Sequence, residues 1–167
     1  MRYVVLALLP WLAIFLQSTV FSIYSINGTV PDLVLIFVSF FALINGAIRG
    51  TVYGFLCGML EDLFTGRFIG VNALSKALTA YILGRIQTVV FKDNLLVGIL
   101  TVLIATVINT FFLLLLSLMV FDVFHLDAGL ITSLLYQSAY NMLLTVPLYI
   151  WYYGSSQHGL LRFNREN

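Results

Sequence analysis

A chain of 167 residues that is 61% hydrophobic and 9% charged, with a formal net charge of +1, holds far less charge than the roughly 25% of an ordinary soluble domain, so water cannot be its solvent on most sides. Apolar spans of about 20 residues each use nearly the whole length, which excludes a separate soluble domain and predicts one integral membrane domain over residues 1–167. The single cysteine, Cys57, excludes an intramolecular disulfide and a cysteine-based metal site.

Spans are predicted at about 3–24, 32–48, 50–65, 71–91, 95–121 and 129–153, with cuts at Asn27-Gly28, Asn45-Gly46, Thr65-Gly66, Lys92-Asp93-Asn94 and Asp122 to Asp127. The first span runs past the length of a signal-peptide core and lacks a small-x-small cleavage site, so it reads as a retained helix. Tyr3, Trp11, Tyr24, Trp151, Tyr152 and Tyr153 supply interfacial anchors near the span ends. The third span, about 16 residues or ~24 Å, is short for a hydrocarbon core unless it reaches back through Gly46, which leaves a five-span reading with that segment re-entrant open beside the six-span one. Six spans put Arg2, Arg49, Arg85, Lys92, Arg162 and Arg165 on one side and Arg67 beside Asp32, Asp122 and Asp127 on the other, which predicts cytoplasmic N and C termini by the positive-inside rule.

The third span carries Gly46, Gly50, Gly54 and Gly58 at every fourth position. This series strips side chains from one stripe and lets another helix backbone come close, either within this bundle or on a partner protein's helix. Glu61 and Asp62 continue the stripe and so face the helix contact. Charges inside a span cost roughly 2.5–3.5 kcal/mol each on insertion scales, so two adjacent acids need a shallow position, a proton or a partner.

The fourth span offers one. Asn72, Ser75, Lys76 and Thr79 share a polar face, and a short turn from Gly66 to Gly70 makes the third and fourth spans antiparallel, with Glu61 and Lys76 each roughly 6–9 Å from that turn. An ion pair between them is predicted, against the alternative of a snorkelling lysine and acids wetted at the rim. Asp62 is left to cap the turn through Thr65-Gly66 or to meet a partner. The fifth span carries Thr106, Asn109, Thr110 and Ser117, and the sixth Ser133, Gln137, Asn141 and Thr145, residues that face an interior and bond across helices. Catalysis has little support: His125 and His158 are predicted outside the membrane on opposite sides, and no H-E-x-x-H or paired metal-ligand pattern occurs. No enzyme activity, cofactor or nucleic-acid partner is expected.

The stretches PDLVLIFVSFFAL, GAIRGTVYGFLCGMLEDLFTG and FIGVNALSKALTAYILG resemble the rod shape-determining protein MreD family, most specifically from Pro31 to Gly84. Pro31 and Asp32 fill the family's opening of the second helix, Glu61 and Asp62 the acidic end of its glycine-rich third helix, Gly66 its turn, and Gly70, Asn72 and the following Ala73-Leu74 the start of the fourth. Lys76 lies outside that pattern, and its pairing rests on spacing alone. The resemblance implies an all-α membrane bundle similar to the substrate-binding subunits of energy-coupling-factor vitamin transporters. It further implies a non-enzymatic scaffold of the bacterial elongation machinery in the cytoplasmic membrane, working with an MreC-like bitopic protein, MreB filaments, and RodA with a penicillin-binding transpeptidase in peptidoglycan synthesis. The rival reading is a vitamin-binding transporter subunit, against which Ala7 and Ala13, six apart, do not form the small-xxx-small docking motif of alanines.

Overall fold

The computed structural model describes residues 2–66, 69–86, 95–121 and 128–158. Arg67, Lys92, Asp93, Asn94, Asp122, His125, Asp127, Arg162 and Arg165, which figure in the predicted orientation and cuts, lie outside the described residues, as do the side chains of Arg2, Tyr3, Ser117, Tyr153 and His158. Among the described residues every regular element is a helix: α1 Arg2–Ser18, α2 Val20–Ile23, α3 Leu33–Asn45, α4 Ala47–Thr65, α5 Val71–Ile86, α6 Leu95–Phe121 and α7 Ala128–His158. The stretches Val4–Ile23 and Leu95–Leu116 are each long and apolar enough to cross a membrane.

The first predicted span is not one unbroken helix. The hydroxyls of Ser18 and Thr19 both donate to the Phe15 carbonyl, at 3.1 and 2.6 Å, and the chain breaks at Thr19 before resuming as α2. Such back-bonding competes with the helix ladder and bends it. Within α1, Pro10 has no N–H to offer the carbonyl four residues back, Leu6. The Tyr53 hydroxyl of α4 donates to that carbonyl at 2.9 Å, tying α1 to α4. A tight turn follows α2: Asn27 and Gly28 have φ of 50° and 76°, and Ile26 and Thr29 exchange two backbone hydrogen bonds. Two successive positive φ values are what Asn-Gly accommodates at little cost.

The axis of the molecule is α3. Each residue from Leu33 to Leu43 is buried, and α3 touches α1, α4, α5, α6 and α7. A helix apolar on all sides is stable only when enclosed on all sides, and this one is. Phe40 meets Tyr149 edge-on at 5.3 Å between ring centroids, and Phe41 lies 4.4 Å from Tyr53. Tyr152, expected at an interface, instead is 3% exposed and packs against Phe37 and Phe40, because its helix turns that side toward α3. Trp11, Tyr24 and Trp151 are exposed.

Gly46 separates α3 from α4. With φ of 90° it ends one helix, donating to the Ala42 carbonyl, and starts the next, so it is the corner between two helices and not a step in the stripe. From Ala47 the third long element is helical without interruption to Thr65.

Candidate functional site

The glycines of α4 determine the geometry that follows. A Cβ placed on Gly58 would meet the Asn72 carbonyl oxygen at 2.5 Å and the Ala73 Cα at 2.6 Å, and one on Gly54 the Lys76 carbonyl oxygen at 2.7 Å. On Gly50 it would meet the Ala42 Cβ of α3 at 2.7 Å and the Ala80 carbonyl oxygen at 3.4 Å. From the other side, Gly84 of α5 lies against Gly46 and Ala47. The two helices therefore run antiparallel in backbone contact through four rungs, and the stripe is occupied from within the chain by α5 and α3. Backbone contact of this kind lets no side chain adjust the register.

That register brings Lys76 level with the acids. Side chains of a helix lean toward its N-terminus, so Lys76 reaches from its rung beside Gly54 toward the Gly66–Gly70 turn. Its ammonium is fully buried, with Nζ 2.7 Å from Glu61 Oε2 and 3.0 Å from Asp32 Oδ2. The Asp32 contact is a hydrogen bond. The Glu61 contact is ionic but lies outside hydrogen-bond geometry, and that oxygen has no hydrogen-bond donor among the described residues. One ammonium thus faces two carboxylates in a site from which water is nearly excluded: the Asp32 and Glu61 side chains are 8% and 15% exposed.

Asp32 holds three elements at once. Its Oδ1 accepts from Leu35 N–H at 2.8 Å and so caps α3, its Oδ2 takes Lys76 of α5, and its own N–H donates to Asn141 Oδ1 of α7 at 2.8 Å. Gln17 Oε1 of α1 accepts from Val34 N–H at 3.4 Å. The first N–H groups of any helix lack intrahelical partners, and at a buried end each must find one elsewhere. The Pro31-Asp32 step thus places its carboxylate where a buried helix start and a buried lysine both need it.

Asp62 is not left free, and its expected role is corrected. It is 1% exposed; Oδ2 accepts from the N–H groups of Gly70 at 2.8 Å and Ala73 at 3.1 Å, and Oδ1 from Asn72 N–H at 3.2 Å and Asn72 Nδ2 at 2.8 Å. A carboxylate on the last turn of α4 thereby caps the first turn of α5, where unpaired N–H groups and the helix dipole both favour an anion. Gly66, left-handed at φ 62°, ends α4 by donating to the Asp62 carbonyl, while Thr65 Oγ1 bonds back to the Glu61 carbonyl at 2.8 Å. A partner protein cannot reach a carboxylate so enclosed.

The predicted interior polar residues divide. Asn141 is fully buried, and its Nδ2 donates to Thr106 Oγ1 at 2.9 Å; Asn109 is 2% exposed and accepts from Ser75 Oγ through Oδ1 at 2.7 Å. Thr145 bonds back to the Asn141 carbonyl at 2.6 Å. Gln137 is only half-buried and Ser133 is exposed. The polar path from α6 through Asn141 to Asp32 and Lys76 was not anticipated, and neither was Asp32 as partner of the lysine. The one signal in the sequence was that Asp32 opens a span too apolar to leave a carboxylate unpaired.

Among the described residues no group of three or more His, Cys, Asp or Glu side chains is placed to hold a metal ion, and Cys57 is buried without a disulfide partner. What the cluster can do is structural: it fastens the start of α3, the end of α4 and the first turns of α5 at one point. No curated protein and no solved structure matches the chain. The family model of the rod shape-determining protein MreD matches residues 1–157, nearly the whole length and every helix of the fold, and the chain therefore belongs to the MreD family of rod shape-determining membrane proteins.

Proposed function

We propose that the protein is a non-enzymatic scaffold, multi-pass in the bacterial cytoplasmic membrane, that helps organise peptidoglycan synthesis during elongation through helix contacts with partner membrane proteins. The match to the MreD family over residues 1–157 carries this reading. Its partners are taken to be an MreC-like bitopic protein, MreB filaments, and RodA with a penicillin-binding transpeptidase. We take the termini to be cytoplasmic, a reading supported by the position of Arg49 and Arg85 at the Gly46 end of the α4–α5 pair, away from the end that carries Asp32, Glu61 and Asp62. On that orientation α3, with 13 residues or about 20 Å, is shorter than a ~30 Å hydrocarbon core, so the cluster at its outer end lies below the outer surface.

Since the glycine stripe of α4 is filled by α5, partner helices meet other faces of the bundle. The rival role of a vitamin-binding subunit finds less support, because the interior polar residues are engaged within the bundle: Asn109 with Ser75, and Asn141 with Asp32 and Thr106. The likeness in fold to such subunits rests on the family resemblance. The test is complementation in rod-shaped cells depleted of their own family member, paired with co-purification. Restored rods together with capture of an MreC-like protein are expected; round cells despite a folded, membrane-inserted chain would overturn the reading. Reporter fusions after Asn167 and after Arg49 are expected to report cytoplasm, and one at Gly28 the outside.

A further inference from the structure

An apolar groove on this bundle ends beside a surplus of negative charge. The groove, a cavity of about 780 Å³ between α1 and α4, has Pro10 and Trp11 on one wall, Leu56 and Leu60 on the other, and Tyr53 and Cys57 on its floor. The Tyr53 hydroxyl is already engaged by the Leu6 carbonyl that Pro10 leaves open, so the floor offers an occupant apolar contact. Glu61 stands one residue past Leu60 and one helical turn past Cys57, beside the end of the groove away from Gly46. Phe64, one turn past Leu60, is exposed beyond it.

The charges at that end do not balance. Lys76 brings one positive charge to two carboxylates, Asp32 and Glu61. Asp32 takes the hydrogen bond of the ammonium and that of Leu35 N–H, while Asp62 is met by four N–H donors of its own. Glu61 has its ionic contact, and Oε2 has no hydrogen-bond donor among the described residues. Its side chain is also the most open of the three, 15% exposed against 8% for Asp32 and 0% for Lys76.

We propose that the groove receives a membrane-spanning helix of a partner protein, apolar along its length and carrying one Arg or Lys at the height of Glu61. A surplus charge within a bilayer is costly, so a cation arriving on another helix is favoured there, and charge complementarity of this kind selects the partner and fixes its register. The groove supplies the apolar contact that an inserted helix needs. A lipid brings its phosphate along with any ammonium it carries, and so adds no net positive charge. A second copy in the same orientation, joined through the same faces, would bring another Glu61 to the same level. The proposal deepens the scaffold reading, on which it rests for the occupant being a protein.

The test uses the full chain in phosphatidylcholine vesicles, carrying a donor dye after Asn167, and synthetic Leu-Ala helices of about 20 residues with an acceptor dye and a single Arg, Gln or Glu near one end. Energy transfer is read against the ratio of peptide to lipid. The Arg peptide is expected to associate about tenfold more tightly than the Gln peptide, and the Glu peptide more weakly than either. Glu61→Gln is expected to remove the Arg preference, and Leu56→Trp, which obstructs the groove and keeps Glu61, to weaken the Arg peptide by about tenfold. Where Glu61→Gln loses its helical circular dichroism, Leu56→Trp decides. Equal association of the Arg and Gln peptides, a preference that survives Glu61→Gln, or unchanged binding in Leu56→Trp would each overturn the proposal. So would a preference that emerges only in Arg67→Gln, where the chain supplies its own cation, displacement of the peptide by phosphatidylethanolamine, or energy transfer between two labelled copies that Leu56→Trp abolishes. Failure of the wild-type chain to restore rods counts against the scaffold reading instead, and is read independently of the peptides.

Discussion

Two helix pairs in this bundle are built on opposite terms. The α4–α5 pair is joined by a short turn and meets backbone to backbone through Gly50, Gly54, Gly58 and Gly84. The α6–α7 pair, with 27 and 31 residues the longest helices, meets through side chains: Asn141 to Thr106, and the Tyr149 ring over Gly98. In the first pair the register is set by atoms that cannot move, so charges placed along it arrive at defined heights. In the second, rotamers can absorb a change. Among the described residues, buried charge lies on the first pair and on Asp32 at the start of α3 beside it, and the difference gives the reason: an ammonium inside a bundle is tolerated only where its carboxylates are held within about 3 Å, and a sliding contact could not hold them.

The largest expected effect is therefore at Lys76. Lys76→Met leaves Asp32 and Glu61 facing each other without a counter-charge, and a loss of about 3–5 kcal/mol is expected on unfolding in detergent. Asp32→Asn should cost less than Lys76→Met but more than Glu61→Gln, since Asp32 also caps α3 whereas Glu61 has only its ionic contact. Losses that simply add across the double variants would show that the three charges do not act as one cluster.

Next comes the backbone contact itself. Gly58→Ala drives a methyl into the Asn72–Ala73 backbone, for an expected loss of about 1–3 kcal/mol. Gly98→Ala meets the Tyr149 side chain and not a backbone at its three nearest atoms, and should lose less because a side chain shifts more readily than a backbone. Gly154→Ala, with nothing within 4 Å of its Cβ position, should gain roughly 0.5–1 kcal/mol from helix propensity. Thermal melts of the three variants in one detergent check this order, and equal effects at Gly58 and Gly98 would erase the distinction between the two pairs.

Smaller changes belong to the side-chain region. Asn141→Ala removes the acceptor for Asp32 N–H and the donor to Thr106, for an expected loss of about 0.6–2 kcal/mol. Gln137→Ala, half-buried on the same stripe, should fall within about 0.5 kcal/mol of the parent. A larger loss at Gln137 than at Asn141 would mean that the polar path runs along α7 and not across it to Asp32.

Much of this arrangement is already present in the chain as a string of residues. Apolar runs require helices, four-residue glycine spacing requires a close helix neighbour, and a turn from Gly66 to Gly70 brings Glu61 and Lys76 to similar heights. These follow from local geometry, the rise of 1.5 Å and 100° per residue, which needs no knowledge of the rest of the molecule. Local geometry does not say which of several apolar helices is enclosed, so the central place of α3 was hidden, as was the burial of Tyr152 against it. Nor does it show that a carboxylate 44 positions from Lys76 reaches the same ammonium, or that Asp62 turns to the first N–H groups of α5 instead of outward. Those outcomes depend on where separate helices end in space, and a buried helix end takes whichever polar group the packing brings within hydrogen-bond reach.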